Sequence, residues 1–202
     1  MFALIDNEQI TKHISGNKGI TIGDIQYPRS IFTLWSEAER NAIGIYEITI
    51  DTTNKKDEAY YNNTNVSYGV ESNKAVGSYG AATAKALADA NGTDADGVEL
   101  DPVVVIEGLK TQHKKNIKLQ SSGLLIPTDW YVIKATEVES YSAPSAITTY
   151  RANVRTASND METIIDNASD VDALATLYQY VNTGTEEEPV MERPLGEFPE
   201  AV

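Results

Sequence analysis

Cysteine is absent from the 202 residues, and histidine occurs only twice, at His13 and His113. The first absence excludes disulfide frameworks, thiolate metal sites and cysteine nucleophiles. The second leaves little from which to build a histidine-based site. Long apolar runs are missing as well. The longest, Met1 to Ile5, falls far short of the roughly 18–20 residues a membrane-spanning helix needs. Basic residues are scarce: 16 Lys and Arg stand against 30 Asp and Glu, a net charge of -14. Such a field repels phosphate backbones, so nucleic-acid binding is not expected. The opening residues MFALIDNEQ carry Asp6 and Glu8 and no basic stretch, so a secretory signal is not expected either.

What is present fits a modest core. Apolar residues make up 41%, slightly under the roughly 45–50% of ordinary globular chains, and the length suits one domain or two small ones. Residues 1–90 read as a β-rich module. Phe2 and Leu4 precede an Asp6-Asn7 turn, and a second strand runs to Ile14. Gly16, Asn17 and Gly19 mark the next turn. Ser36 with Glu39 three residues on is a capping-box signature for a short helix. Residues 45–50 are rich in β-branched and aromatic side chains, as in strands. Strands over about 58–70 and 74–80 are expected around the turn Glu71-Ser72-Asn73, with Tyr60, Tyr61, Tyr68 and Tyr79 among them. The Ala-rich segment 81–90 predicts a helix. Segment 91–102 reads as an acidic linker.

From 103 to 181 the period becomes helical. Ile106, Leu109, His113, Ile117 and Leu124 form one stripe, closed by Pro127. Thr128 to Tyr131 reads as the start of a short connection. A second helix opens at Pro144-Ser145, with a heptad-like stripe of Ile147, Tyr150, Val154, Ala157, Met161, Ile164 and Ala168. Ser169 is the expected cap of a third helix bearing Val171, Leu174 and Leu177. Residues 182–202, with six Glu and one Arg, predict an acidic extended tail. The overall class is α+β: a small β-rich N-terminal module followed by a helical hairpin.

Chemistry-bearing patterns are weak. Asp94, Asp96 and Gly97 suggest a calcium loop, but the first and last ligand positions fall on Gly92 and Val103. A solvated acidic loop is the simpler reading. Lys110, Lys114, Lys115 and Lys118 share one helix with His113; a solvated face is the simpler reading, beside a phosphate or acidic-partner patch and a pairing with glutamates of the tail or of a neighbouring copy. No nucleophile elbow, phosphate loop or dinucleotide fingerprint is present. The expectation is a protein that is not an enzyme, with no cofactor and no metal. The tyrosines of 60–79 either make cross-strand pairs or offer ring faces to a glycan.

Two neighbouring stretches are distinctive: LLIPTDWYVIK at 124–134 and PSAITTYRANVR at 144–155. Together they resemble a region of tailed-bacteriophage tail proteins of the tail assembly chaperone or tail-fibre accessory type, as in marine phages. Gln26-Tyr27-Pro28, the run from Leu34 to Tyr46, and Glu192 to Pro199 are similar to further parts of such proteins. The likeness is weakest from 51 to 102.

The resemblance implies a phage tail role and no established chemistry. A non-enzymatic virion component at the tail or tail fibres is expected. The alternatives are an assembly chaperone absent from the mature virion, in the host cytoplasm, and a glycan-binding host-recognition module. Implied partners are other tail or tail-fibre proteins, further copies in a homo-oligomer and a host surface glycan, with no nucleic acid and no membrane insertion. Within this reading Thr128 or Asp129 caps a turn. Trp130 anchors the helical hairpin beside Tyr150, and Arg151 and Arg155 reach carboxylates such as Asp129 or Glu162. The expected packing and interface residues are Trp130, Ile147, Tyr150, Val154, Met161, Leu109 and Ile117.

Overall fold

The computed structural model describes residues 1–202. It is an α+β chain that separates into two compact units, Met1–Thr83 and Ala84–Val202.

The first unit holds β1 (Phe2–Asp6), β2 (Gln9–Ile14), β3 (Ile20–Ile22), β4 (Ile25–Tyr27), α1 (Ile31–Leu34), α2 (Glu37–Asn41), β5 (Ile45–Asp51), β6 (Tyr61–Asn62), β7 (Val66–Glu71) and β8 (Lys74–Tyr79). Five of the strands form one sheet in the order β2-β1-β5-β8-β7. Only the β5–β8 pairing is parallel. The sheet curls into a half-barrel. Its two edges approach each other, with His13 of β2 meeting Tyr68 of β7 edge-on at 4.6 Å between ring centres. An edge that meets another edge is not left open to foreign strands.

Both hairpins turn on residue pairs with positive φ, Asn7-Glu8 and Ser72-Asn73. That geometry matches the twist of the flanking strands. Alternation along β1 sorts the core. Phe2 and Leu4 face Ile14, Ile20, Ile31, Phe32 and Ile45. Ala3 and Ile5 face Ile48 and Ala75. The capping box is complete: the Ser36 hydroxyl accepts from the Glu39 amide, and the Glu39 carboxylate accepts from the Ser36 amide at 2.7 Å. The Ser36 hydroxyl also donates to that carboxylate at 2.7 Å, and this bond, followed by the amide's, holds the Glu39 carboxyl below its ordinary range.

Tyr68 lies opposite Gly77. A Cβ there would sit 2.7 Å from Ile50 Cδ1 and 2.9 Å from Tyr68 Cε1. Gly77→Ala is therefore expected to cost about 1–3 kcal/mol in urea denaturation. A neutral result would show that the Tyr68 ring shifts freely.

Beyond β8 the chain stays extended. β9 (Thr83–Ala84), β10 (Ala90–Asn91) and β11 (Val105–Ile106) replace the helix expected over 81–90. Ten residues are too few for a helix to stand alone, and this backbone has another use. The Ala86 and Leu87 carbonyls accept from the Leu109 and Lys110 amides, and Asp89 Oδ1 accepts from Gly108. The segment thus caps the helix that follows. Residues 91–102 also carry structure, in a bridge between Thr93 and Glu99. Asp94 Oδ1 accepts from the Asp96 and Val98 amides.

Helices α3 (Leu109–Leu125), α4 (Asp129–Glu137), α5 (Ser145–Asp166) and α6 (Val171–Thr176) follow, with a 3-10 turn at Ile126–Thr128. α3 and α5 pack antiparallel: Lys114 pairs with Asp166 at 2.7 Å, Lys118 with Glu162 at 3.1 Å, and the Tyr150 hydroxyl donates to the Leu124 carbonyl. Leu109, Ile117, Ile147, Tyr150, Val154 and Met161 are all buried. Ile106 is not part of the stripe; it lies exposed in β11.

On α5 the buried stripe runs through Ile147, Arg151, Val154, Ser158, Met161 and Ile165, and on to Ala168 just past its end, at alternating spacings of four and three, so Ser158 and Ile165 take the places expected of Ala157 and Ile164. The seven-residue repeat is kept, with the second buried position of each repeat one residue later than expected. Lys114 and Lys118 find carboxylates on α5, Lys115 pairs with Glu107 and Lys110 donates to the Asp166 carbonyl; none of these partners lies on the tail.

The cap of α6 is Asp170, which accepts from the Ala173 amide at 2.7 Å, and not Ser169, whose hydroxyl reaches Asp170. Asp170→Ala is expected to lower stability by about 1 kcal/mol, and Ser169→Ala by under about 0.5 kcal/mol. Equal losses in thermal melts would contradict the assignment.

Nor is 182–202 an extended tail. β12 (Val181–Asn182) and β13 (Met191–Glu192) pair, Leu195 is buried, and its amide donates to the Leu177 carbonyl at 3.0 Å. Glu197 accepts from Tyr180 and Arg193. One apolar side chain and three polar partners thus hold the acidic segment in place.

Burial holds the His113 imidazole below its ordinary range, and Nδ1 lies 2.7 Å from the Tyr178 hydroxyl. The unfolded chain takes up that proton more readily. His113 therefore contributes stability above its unfolded value of about 6.5, and loses it as pH falls from that value through its lower folded one. His113→Gln is expected to flatten this part of the stability–pH curve. An unchanged curve would remove His113 as its source.

Candidate interaction surface

The residues that join the two distinctive stretches converge on Arg151. Its side chain is buried, with the whole residue 7% exposed. One guanidinium nitrogen donates to the Leu125 carbonyl at 2.8 Å and to Thr128 Oγ1 at 2.6 Å. The other pairs with Asp129 Oδ1 at 2.7 Å. The Thr128 hydroxyl donates back to the Leu125 carbonyl at 2.8 Å. The fixed fork of a guanidinium suits such divergent acceptors better than an ammonium does. The cluster pins the end of α3, the 3-10 turn and the start of α4 to α5.

Pro127 accordingly does not end the helical path. It sits at the start of the 3-10 turn, where its missing amide costs nothing, and α4 follows directly. Thr128 precedes α4 without a side-chain cap bond; its hydroxyl is engaged by Leu125 and Arg151. Asp129 is reached by Arg151, as expected. Arg155 is not bound to Glu162: it donates to the Arg151 carbonyl at 3.3 Å, while Glu162 is held by Lys118.

Trp130 is the largest departure from expectation. It is 50% exposed and lies against Tyr131, ring centres 3.8 Å apart, with the Lys134 ammonium 5.9 Å from its ring. It does not lock the helical hairpin; Arg151 does. No residue of α4 is buried. Ile126 at 62% and Ile133 at 55% are exposed with Trp130. Their spacing, four then three, was the available sign of an amphipathic helix. Trp130→Ala is expected to change stability by less than about 0.5 kcal/mol. A loss of about 3 kcal/mol in urea denaturation would mean that the ring is buried.

Beside the cluster, α3 and α5 flank an open cleft of about 490 Å³ lined by Lys118, Ser121, Asp129, Arg151, Arg155 and Glu162. Its charges are largely paired within the protein. No group of three or more His, Asp or Glu side chains is placed to hold a metal ion, so Asp94, Asp96 and Glu99 do not form a calcium cage. In the first unit, Tyr61 and Tyr79 line a shallow groove with Asn62, Asn63 and Thr64. Lys56 and Lys55 lie over those rings at 5.6 and 5.7 Å. Tyr68 is engaged by His13.

Compared with known proteins, the chain matches no family model, no curated protein and no solved structure. No helix is long and apolar enough to cross a membrane.

Proposed function

We propose that this chain is a non-enzymatic component of a bacteriophage tail, placed at the tail or its fibres by protein–protein contacts. The observation that carries this is α4, which has no buried residue and exposes Trp130 and Ile133, with Ile126 exposed in the turn before it. A helix of nine residues is marginal by itself. This one is fixed at its N-terminal end by Arg151 and holds its apolar side chains outward. Contiguous exposed apolar surface marks a contact site. The segments that resemble phage tail proteins, 124–134 and 144–155, are the two that the Arg151 cluster joins.

Mass spectrometry of purified phage particles tests the assignment. Peptides of this chain are expected in the particle. If they occur only in infected-cell lysate, bound to a tail or fibre protein, the assembly-chaperone role replaces the structural one. Glycan binding has less support, because the Tyr61 and Tyr79 faces are covered by lysines.

A further inference from the structure

Ile126, Trp130, Ile133 and Glu137 follow one another at spacings of four, three and four, which places them along one side of α4 and the turn before it. Asp129 and Lys134 flank this stripe on opposite sides, five residues apart. Asp129 gives one oxygen to Arg151 and keeps its side chain 48% exposed. Lys134 has no ion-pair partner; its ammonium lies 4.4 Å from the Tyr141 ring centre. An acid and a base so placed complement a second copy of the same helix. When two helices lie side by side and parallel, a flanking residue faces the one five positions later on the opposite flank of its neighbour. In an antiparallel pair the matching flanks meet, which brings Asp129 toward Asp129 and Lys134 toward Lys134.

We propose that α4 is a self-association seam on which a second copy of this chain lies in parallel. Trp130 packs against Trp130, Ile133 against Ile133, and Asp129 of each copy faces Lys134 of the other; the apolar contact stops at Ile133, because the exposed Glu137 carboxylates of the two copies repel and turn to water. The seam is about three turns long, well below the roughly 800 Å² per partner of a standard stable interface. It is therefore weak between free chains and strengthened where several copies are held together. The inference rests on reading α4 as a docking face and adds the identity of its occupant.

The chain contains no cysteine, so one introduced thiol reports the seam directly. In the full chain, Ile133→Cys is expected to form a disulfide-linked dimer on mild oxidation about tenfold faster than Val132→Cys. Both positions are exposed, and unchanged circular dichroism confirms that each variant folds. Lys134→Glu added to Ile133→Cys is expected to slow the reaction, most of all at low salt. Equal rates for Ile133→Cys and Val132→Cys overturn the seam. So does faster coupling of Trp130→Cys to Ile133→Cys than of Ile133→Cys to itself, which indicates antiparallel pairing. Absence of self-coupling with the chain present in phage particles overturns the seam and leaves the tail assignment standing. Rapid self-coupling with the chain absent from particles supports the seam and removes the virion role.

Discussion

Replacing Arg151 with alanine is expected to destabilise the helical unit by about 3 kcal/mol, followed by the far-ultraviolet helix signal in urea. The loss has two sources. The half-buried Leu125 carbonyl and the Thr128 hydroxyl keep their bond to each other but lose charge-assisted bonds to the guanidinium, at about 1.5–3 kcal/mol for a bond to a charged group. The side chain also leaves a gap among α3, the 3-10 turn and α5. Asp129 contributes less, because its carboxylate is half exposed and stays hydrated when Arg151 is gone. Asp129→Asn is therefore expected to cost under about 1 kcal/mol. Arg151→Lys should fall between the two, since an ammonium keeps the charge but loses the fork. A loss below about 1 kcal/mol for Arg151→Ala would mean that packing alone fixes the turn.

Ile165→Ala is expected to cost about 3–4 kcal/mol, and Ile164→Ala about 1 kcal/mol. The two residues are neighbours of identical chemistry, so the comparison isolates helix rotation. Ile165 is completely buried and Ile164 only in part. A buried stripe through Ala157 and Ile164 reverses the order of the two losses. The same one-residue offset puts Ser158 inside, 3.5 Å from Glu162 Oε1, and leaves Ala157 half-buried.

The periodic signals in the sequence were legible where one short-range rule decided the outcome. The Asp6-Asn7 and Ser72-Asn73 turns, the Ser36–Glu39 box and the buried side chains of α3 and α5 all follow from local spacing. The misreadings occur where a distant partner decides. Residues 81–90 have helical propensity, yet their carbonyls are taken by the first turn of α3. The acidic C-terminal segment looks unable to fold, yet Leu195 finds a buried place next to Leu177. At the candidate site, the Arg151–Asp129 pair was foreseeable from residue types. The exchange of roles between Arg151 and Trp130 was not. A tryptophan beside two helices suggests an anchor, and a charged residue on a helix suggests solvent. Only the three-dimensional arrangement brings the Leu125 carbonyl, Thr128 and Asp129 to the guanidinium and makes its burial affordable.

The role assigned to this chain depends on the outward side of α4 becoming covered. Hydroxyl-radical footprinting of the isolated chain and of assembled phage particles, read by mass spectrometry, addresses that surface residue by residue. Trp130 and Ile133 are expected to oxidise readily in the isolated chain and to be strongly protected in the particle, while Leu119, exposed on α3, serves as the reference. Equal oxidation of Trp130 in both samples would contradict the proposed role of α4.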